Sequence, residues 1–277
     1  MAIDAQTGRT GPAAVRGVLT DIEGTTTAMS FVHDVLFPYA AARLDEVCAA
    51  RAGEPEIAAA LALLRADHAA EAGPVPPFGD GAAYARRLMA EDRKSTGLKA
   101  LQGLIWEGGY RGGELCGHVF PDVPPALAAW RAAGVRLRVF SSGSASAQRL
   151  LFGHTGWGDL TPLFDGFHDT TTGPKQAAES YRAIAAAFAL PPASLLFLSD
   201  TVGELDAAAA AGYQTGQLER PGNRPQSASD HPTYISFAEL APRPSPAAMA
   251  AVAAVAAVAP RPSPAAAGAA ASGRTTP

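Results

Sequence analysis

Three short apolar runs, Val15 to Thr20, Val135 to Phe140 and Leu195 to Leu198, each stop abruptly at polar residues: Asp21-Ile22-Glu23-Gly24-Thr25, Ser141-Ser142-Gly143 and Ser199-Asp200. Runs this short, the last of them wholly apolar, read as strands, and their alternation with helices is the mark of a parallel sheet with helices on its faces. Helix-length segments separate them: Pro124 to Ala133 with Gly134 past its end, Gln176 to Leu190, and Glu204 to Ala211 stopped by Gly212. Tyr213 to Leu218 supplies another strand. The alternation predicts an α/β fold, a Rossmann-like core of parallel sheet flanked by helices. Ligands in such sheets bind beyond the carboxyl ends of the strands. Asp21, Ser141 and Asp200 all stand at such ends, so the three polar clusters are expected along one edge.

One long segment breaks the alternation. Between Ala28 and His118 almost no strand signal occurs. Apolar residues recur there at helical spacing in Phe31 to Ala50 (Val32, Val35, Leu36, Leu44, Val47) and again at Ile57, Leu61 and Leu64. Gly73-Pro74-Val75-Pro76-Pro77 interrupts the pattern. Helices follow over Asp80 to Glu91 and Ser95 to Trp106, ended by Gly108-Gly109 and Gly112-Gly113. The expected organisation is a core of 15–27 and 118–240 with a helical insertion, 28–117, after the first strand. Residues 1–14 are expected to be a flexible tail and 241–277, rich in Pro and Ala, a disordered one. The apolar stretch between Pro246 and Pro260 is too short for a membrane span.

Composition narrows the function. A net charge of -4 and no run of Lys or Arg leave no electrostatic footprint for nucleic acid or an anionic membrane, so the expected partner is a small molecule. Cys48 and Cys116 have no zinc spacing, and no secretory core precedes the first strand. The chain is read as reduced, cytoplasmic and monomeric.

The polar clusters carry the chemistry. Residues alternate direction in extended chain, so Asp21 and Glu23 can share a side while Ile22 points into the core. One carboxylate can attack phosphorus while the other handles the proton of the leaving group. Asp21 is the candidate nucleophile and Glu23 the candidate general acid. Asp200, with Asp21 and the backbone carbonyl of Glu23, would form a hard oxygen site for one Mg²⁺; Asp200 could also cap the helix after it. Ser141 and Ser142 precede Gly143, where hydroxyls and backbone N–H groups can surround a phosphate at a helix N-terminus. Lys94, Lys99 and Lys175 are the only lysines among 22 basic residues. Lys175 is expected to open a helix after Gly173-Pro174, an unfavourable place for a cation unless an anion pairs with it. Glu204 is a candidate to orient Lys175 or a metal-bound water. His33, Asp34 and His118 stand near the junctions of the insertion as candidate substrate contacts.

The order Asp21-x-Glu23-Gly-Thr, Ser141, Lys175, Asp200 resembles the haloacid dehalogenase superfamily. Within it the chain is most similar to the enolase-phosphatases of methionine salvage. The stretches that carry the likeness are DIEGTTTAMSFVHDVLFPYA (21–40), DRKSTGLKALQGLIWEGGYRGGEL (92–115), HVFPDVPPAL (118–127), SSGSASAQRLLFGHTGWGDLTPLFDG (141–166) and FLSDTVGELDAA (197–208). The resemblance implies Mg²⁺ on Asp21, Glu23 and Asp200, and a substrate held by Ser141, Ser142 and Lys175. It implies conversion of 2,3-diketo-5-methylthiopentyl 1-phosphate, through its enol phosphate, to an acireductone and phosphate. It also implies that the insertion is a cap, with Phe31, Phe37, Trp106 and Tyr110 as candidates for apolar contact. Pro174 and Thr201-Val202-Gly203 depart from the family pattern, Pro174 in a way that could shift the loop aiming Lys175. At this stage a dehalogenase, a phosphatase for another small ester and a non-catalytic binding protein stay open as alternatives.

Overall fold

The computed structural model describes residues 13–72, 75–93 and 95–241. Most of the two expected tails, and Lys94, lie outside the described residues. Those described fall into two compact units, one of 13–29 with 116–241 and one of 30–115.

The first unit is built on a six-stranded sheet, parallel throughout: β1 (Gly17–Thr20), β2 (Arg136–Phe140), β3 (Gly166–His168), β4 (Leu195–Ser199), β5 (Gln214–Leu218) and β6 (Thr233–Tyr234). Their spatial order is β3-β2-β1-β4-β5-β6. Every residue of β1 and β4 is buried, as expected for central strands with helices on both faces. β3 and β6 escape the sequence reading because they are three and two residues long and partly exposed, too short to show any period. In register, Thr20 lies opposite Val139 on one side and Leu198 on the other. Three strands therefore end at one level, and Asp21, Ser141 and Asp200 leave the sheet together.

In the second unit the chain is helical: α1 (Met29–Phe31), a π-helical turn (Val32–Leu36), α2 (Phe37–Ala50), α3 (Pro55–Ala69), α4 (Ala82–Ala90) and α5 (Thr96–Arg111). Leu44, Ile57, Leu64, Leu88, Leu101 and Ile105 form its apolar centre. The expectation that Gly108-Gly109 ends a helix is wrong, since α5 runs through both. Gly109 is there for a close approach: a Cβ at this position would fall 2.6 Å from the ring of Tyr39. The helix ends instead at Gly112 and Gly113, the latter with φ of 73°.

Four helices flank the sheet: α6 (Val123–Ala132), α7 (Ala145–Gly153), α8 (Ala178–Phe188) and α9 (Val202–Ala210). Proline in the first turn of α6 costs no hydrogen bond, because those N–H groups have no partner within the helix. α7, expected from the sequence only as a helix N-terminus after Gly143, starts at Ser144, whose side chain accepts from Ala147 N at 3.2 Å. Tyr181, Ile184 and Phe188 of α8 and Leu205 of α9 pack with Leu19, Phe140 and Phe197 of the sheet. Among the described residues no helix is long and apolar enough to cross a membrane.

Candidate functional site

Asp21 follows β1 directly, and its backbone N–H continues the ladder to Leu198 O at 2.9 Å. The chain then knots on itself. Thr25, Thr26 and Thr27 donate their N–H groups to Ile22 O, and Gly24 N–H donates to Thr27 O at 2.8 Å. Gly24 permits this with φ of 73°. Thr26 Oγ1 lies 3.3 Å from the carbonyls of both Asp21 and Ile22, and all three threonines are fully buried. Such a loop has little freedom, so Asp21, itself 4% exposed, is held by its backbone. Glu23 is partly buried in the same loop, bridged to Thr27.

Lys175 lies 154 positions along the chain and meets Asp21 in space. Its Nζ is 2.7 Å from Asp21 Oδ1 and 2.7 Å from Glu204 Oε2. Lys175 does not open a helix: it sits in a turn, and α8 begins at Ala178. Side chains of α8 define that turn. Tyr181 Oη donates to Lys175 O and Ser180 Oγ to Pro174 O, each at 2.7 Å. Pro174 leaves the lysine able to reach both carboxylates, since its carbonyl anchors the turn.

Glu204, in the first turn of α9, accepts from Ser199 Oγ at 3.0 Å as well as from Lys175. Asp200 does not cap α9; Thr201 takes the N-cap position, and its hydroxyl donates to Asp200 Oδ1 at 3.1 Å. Ser141, 3% exposed, accepts at Oγ from Gly143 N at 3.2 Å, and its own N–H donates to His168 O. Ser142 is partly buried beside it. The helix end that follows is already engaged in part, because Asp169 Oδ2 accepts from Ala145 N at 2.9 Å.

Electrostatics give this cluster its character. Burial works against the Lys175 ammonium, but the charges of Asp21 and Glu204 outweigh it and hold its pKa above that of an ordinary lysine. Burial, and then the charge of Asp21, push Asp200 up to about 6. The same two causes push Glu204 upward against the pull of Lys175. Three buried carboxyl groups thus share one cation. Lys175 offsets one negative charge, and a divalent ion would offset the other two, so the donor set fits such an ion. Among the described residues no group of three His, Cys, Asp or Glu side chains converges to hold a metal. The fit therefore rests on Asp21 and Asp200 with backbone and substrate oxygens, a set suited to a hard cation.

His118 serves the loop: its Nδ1 accepts from Ala28 N at 3.2 Å, and its carbonyl accepts from Thr27 Oγ1 at 2.7 Å. In the helical unit, His33 and Asp34 are exposed on the π-helical turn. There Phe37 stacks on Trp106 at 6.4 Å between centroids, with His33 edge-on to Phe37. Phe31 and Tyr110 are buried.

Two residues that the sequence reading passed over touch the loop after β1. Arg220 Nε donates to Thr25 O at 3.0 Å, and Asn223 Nδ2 donates to Gly24 O at 2.9 Å. The only signal for them is the turn sequence Arg220-Pro221-Gly222-Asn223 at the carboxyl end of β5.

Comparison with known proteins agrees with this arrangement. The family model for haloacid dehalogenase-like hydrolases matches residues 15–212. The chain is 53% identical over 227 residues to Enolase-phosphatase E1 of Pseudomonas aeruginosa (strain UCBPP-PA14), covering 82% of this chain and 98% of the relative. To Enolase-phosphatase E1 of Synechococcus elongatus it is 49% identical over 235 residues, 83% of this chain and 99% of the other. Among solved structures, the UTR4 protein of Saccharomyces cerevisiae superposes with a TM-score of 0.67 at 32% identity, covering 80% of this chain and 98% of that one. CbbY of Rhodobacter sphaeroides, in complex with phosphate, shares the fold with a TM-score of 0.52 at 19% identity, over 82% of this chain and 96% of that one.

Proposed function

This chain belongs to the haloacid dehalogenase-like hydrolases and, within them, to the enolase-phosphatases, and from that membership we propose how its own residues divide the work. The reaction is the conversion of 2,3-diketo-5-methylthiopentyl 1-phosphate, through its enol phosphate, to the acireductone and phosphate, a step of L-methionine salvage. The observation that carries the assignment of roles is the buried chain Asp21–Lys175–Glu204, with both links at 2.7 Å.

Asp21 is the nucleophile. Lys175 occupies its Oδ1, while Oδ2 has no hydrogen-bond donor among the described residues and is available for attack on phosphorus. As the new P–O bond forms, the bond from phosphorus to the enol oxygen breaks, and Glu23 delivers its proton to the departing oxygen. Water then attacks the aspartyl phosphate. Glu23 takes a proton from that water, the bond to Asp21 breaks, and phosphate leaves. Lys175 holds Asp21 at Oδ1 and faces the charge that develops on the phosphoryl group. Glu204 and Ser199 hold the lysine in place. Ser141 and Ser142 bind the phosphate oxygens at the end of β2. Asp21, Asp200 and the backbone carbonyl of Glu23 would hold one Mg²⁺, which when bound offsets phosphate charge and polarises the diketone.

The test is turnover of that diketo phosphate by purified protein with Mg²⁺, following enediol absorbance and phosphate release together, beside Asp21→Asn and a chelator control. Both signals are expected from the wild type and neither from the controls. Phosphate release from simple esters but not from this compound would overturn the substrate, and full activity in Asp21→Asn would overturn the nucleophile.

A further inference from the structure

The loop after β5 reaches the nucleophile loop through one side chain whose two ends do different things. Asn223 stands at the close of Arg220-Pro221-Gly222-Asn223, a tight turn in which Asn223 N–H donates to Arg220 O at 3.1 Å and Gly222 has φ of 85°. Pro before a left-handed Gly is the preferred sequence of a type II turn, so the position of Asn223 is set by local chemistry. Arg220 pins the turn from the other side. It donates to Thr25 O and, at 2.9 Å, to Ile235 O, lies 2.9 Å from Asp122 in an ion pair, and is flanked by the rings of Phe120 and Phe237.

The amide of Asn223 is oriented by its donors. Nδ2 gives its hydrogens to Gly24 O at 2.9 Å and Leu218 O at 3.2 Å, both obligate acceptors, so the other end of the amide must be Oδ1. That oxygen is fully buried and has no partner among the described residues. It lies beside Asp200: a Cβ added to Gly24 would meet Asp200 Oδ2 and, at 2.9 Å, Asn223 Oδ1. Asp200 and Asn223 also share the wall of a cavity of about 460 Å³. An orphaned acceptor costs roughly 1–3 kcal/mol, and no donor among the described residues relieves it. A water bound to a cation is a strong donor suited to exactly one such oxygen per hydrogen.

We propose that Asn223 is a positioning residue: its Nδ2 latches the Gly24 turn, and its Oδ1 accepts a hydrogen bond from a water on the divalent ion held by Asp21 and Asp200. The inference rests on the metal reading given above. Partners in this outer position fix the orientation of ligands and waters, and their loss typically weakens metal affinity by about 10–100-fold.

Titration calorimetry with Mg²⁺ alone tests it on the full chain, using wild type, Asn223→Ala, Asn223→Asp and the neighbouring Ser227→Ala as a reference, with urea unfolding measured in parallel. Asn223→Ala loses both functions and is expected to bind Mg²⁺ about tenfold more weakly. Asn223→Asp loses the donors but keeps an acceptor, and is expected to hold Mg²⁺ at least as well as wild type despite a lower unfolding midpoint. Wild-type affinity in Asn223→Ala would overturn the proposal, and so would equal weakening in the Ala and Asp variants, which would assign the effect to the latch alone. If Asn223→Ala does not fold, the Asp variant decides by itself, since tenfold weaker binding there sinks the role of Oδ1. Absence of Mg²⁺ binding in the wild type would instead remove the metal reading on which the inference stands.

Discussion

The helical unit keeps its ion pairs open to water, whereas the sheet unit, beside surface pairs such as Arg182–Glu179, also takes charges inside. Arg86 and Asp45 pair with side chains 40% and 73% exposed, and Arg43–Glu114 and Arg51–Glu54 are similarly open. Glu71 is the exception, a covered carboxylate, but its partners Arg87 and Arg93 are themselves open to water. In the sheet unit Lys175 and Asp21 are 11% and 6% exposed, and Arg220 is buried against Asp122. Exposed pairs add little to stability and buried ones recover their desolvation only with several good partners. A fold has no need of Lys175 between two carboxylates for its own sake. The contrast therefore separates a unit held by apolar packing from one in which stability is spent on a reactive arrangement.

The sharpest way to break this comparison is to remove the buried cation. Lys175→Met leaves Asp21 and Glu204 facing each other without a counter-charge, and breaking a buried pair from one side costs about 3–5 kcal/mol. Turnover is expected to fall by a factor on the order of 10³ or more, as for loss of a group that stabilises transition-state charge. Adding Glu204→Gln should restore part of the unfolding midpoint but none of the activity. Recovery of both together would mean that the lysine is structural only.

A cavity is expected to do in the helical unit what charge deletion does in the sheet unit. Leu101 is fully buried at its centre. Leu101→Ala should cost about 2–5 kcal/mol in urea unfolding. A loss well below that range would show that this unit is not held by its apolar centre.

The same contrast explains what could be read from the sequence. Apolar periodicity reports burial, so strands β1, β2, β4 and β5 and the helices of the second unit were legible within a few residues. Asp21, Ser141 and Asp200 were legible as strand ends because each apolar run stops sharply there. β3 and β6 carry too few residues for a period, and the glycines of α5 resembled a break because a close contact with Tyr39 leaves no mark on the local pattern. Arg220 and Asn223 were missed for a related reason. Their partners, Thr25 and Gly24, lie 195 and 199 positions away, and a turn sequence declares its own shape without declaring what it touches.

A pH series sharpens the comparison at a smaller scale. Burial, and then the charge of Arg138, push His168 down to about 4, with Asp169 opposing them only in part. A histidine with a depressed folded pKa stabilises the fold fully above its unfolded value of about 6.5. As pH falls below that value the unfolded chain gains a proton that the folded one refuses, so this contribution is lost between about 6.5 and 4. His168→Gln removes the titration while keeping an acceptor for Arg138. Between neutral pH and pH 5 the wild type should lose about 1–2 kcal/mol more than the variant, after allowance for solvent reaching a partly exposed ring. Parallel curves would show that His168 meets water freely.

The smallest effect is expected where charge is most visible. Arg86 and Asp45 form an ion pair on the helical unit, and the pairing holds the Asp45 carboxyl below its ordinary value. Both side chains are solvated in either state, so the attraction is screened and fixing two flexible side chains opposes it. Arg86→Ala, Asp45→Ala and the double variant should unfold at the wild-type midpoint at physiological salt, with a coupling near zero in the double-mutant cycle. Turnover should be unchanged in all three. A clear coupling that vanished in high salt would overturn the division drawn here, because surface charge would then be holding the helical unit together as buried charge does the sheet.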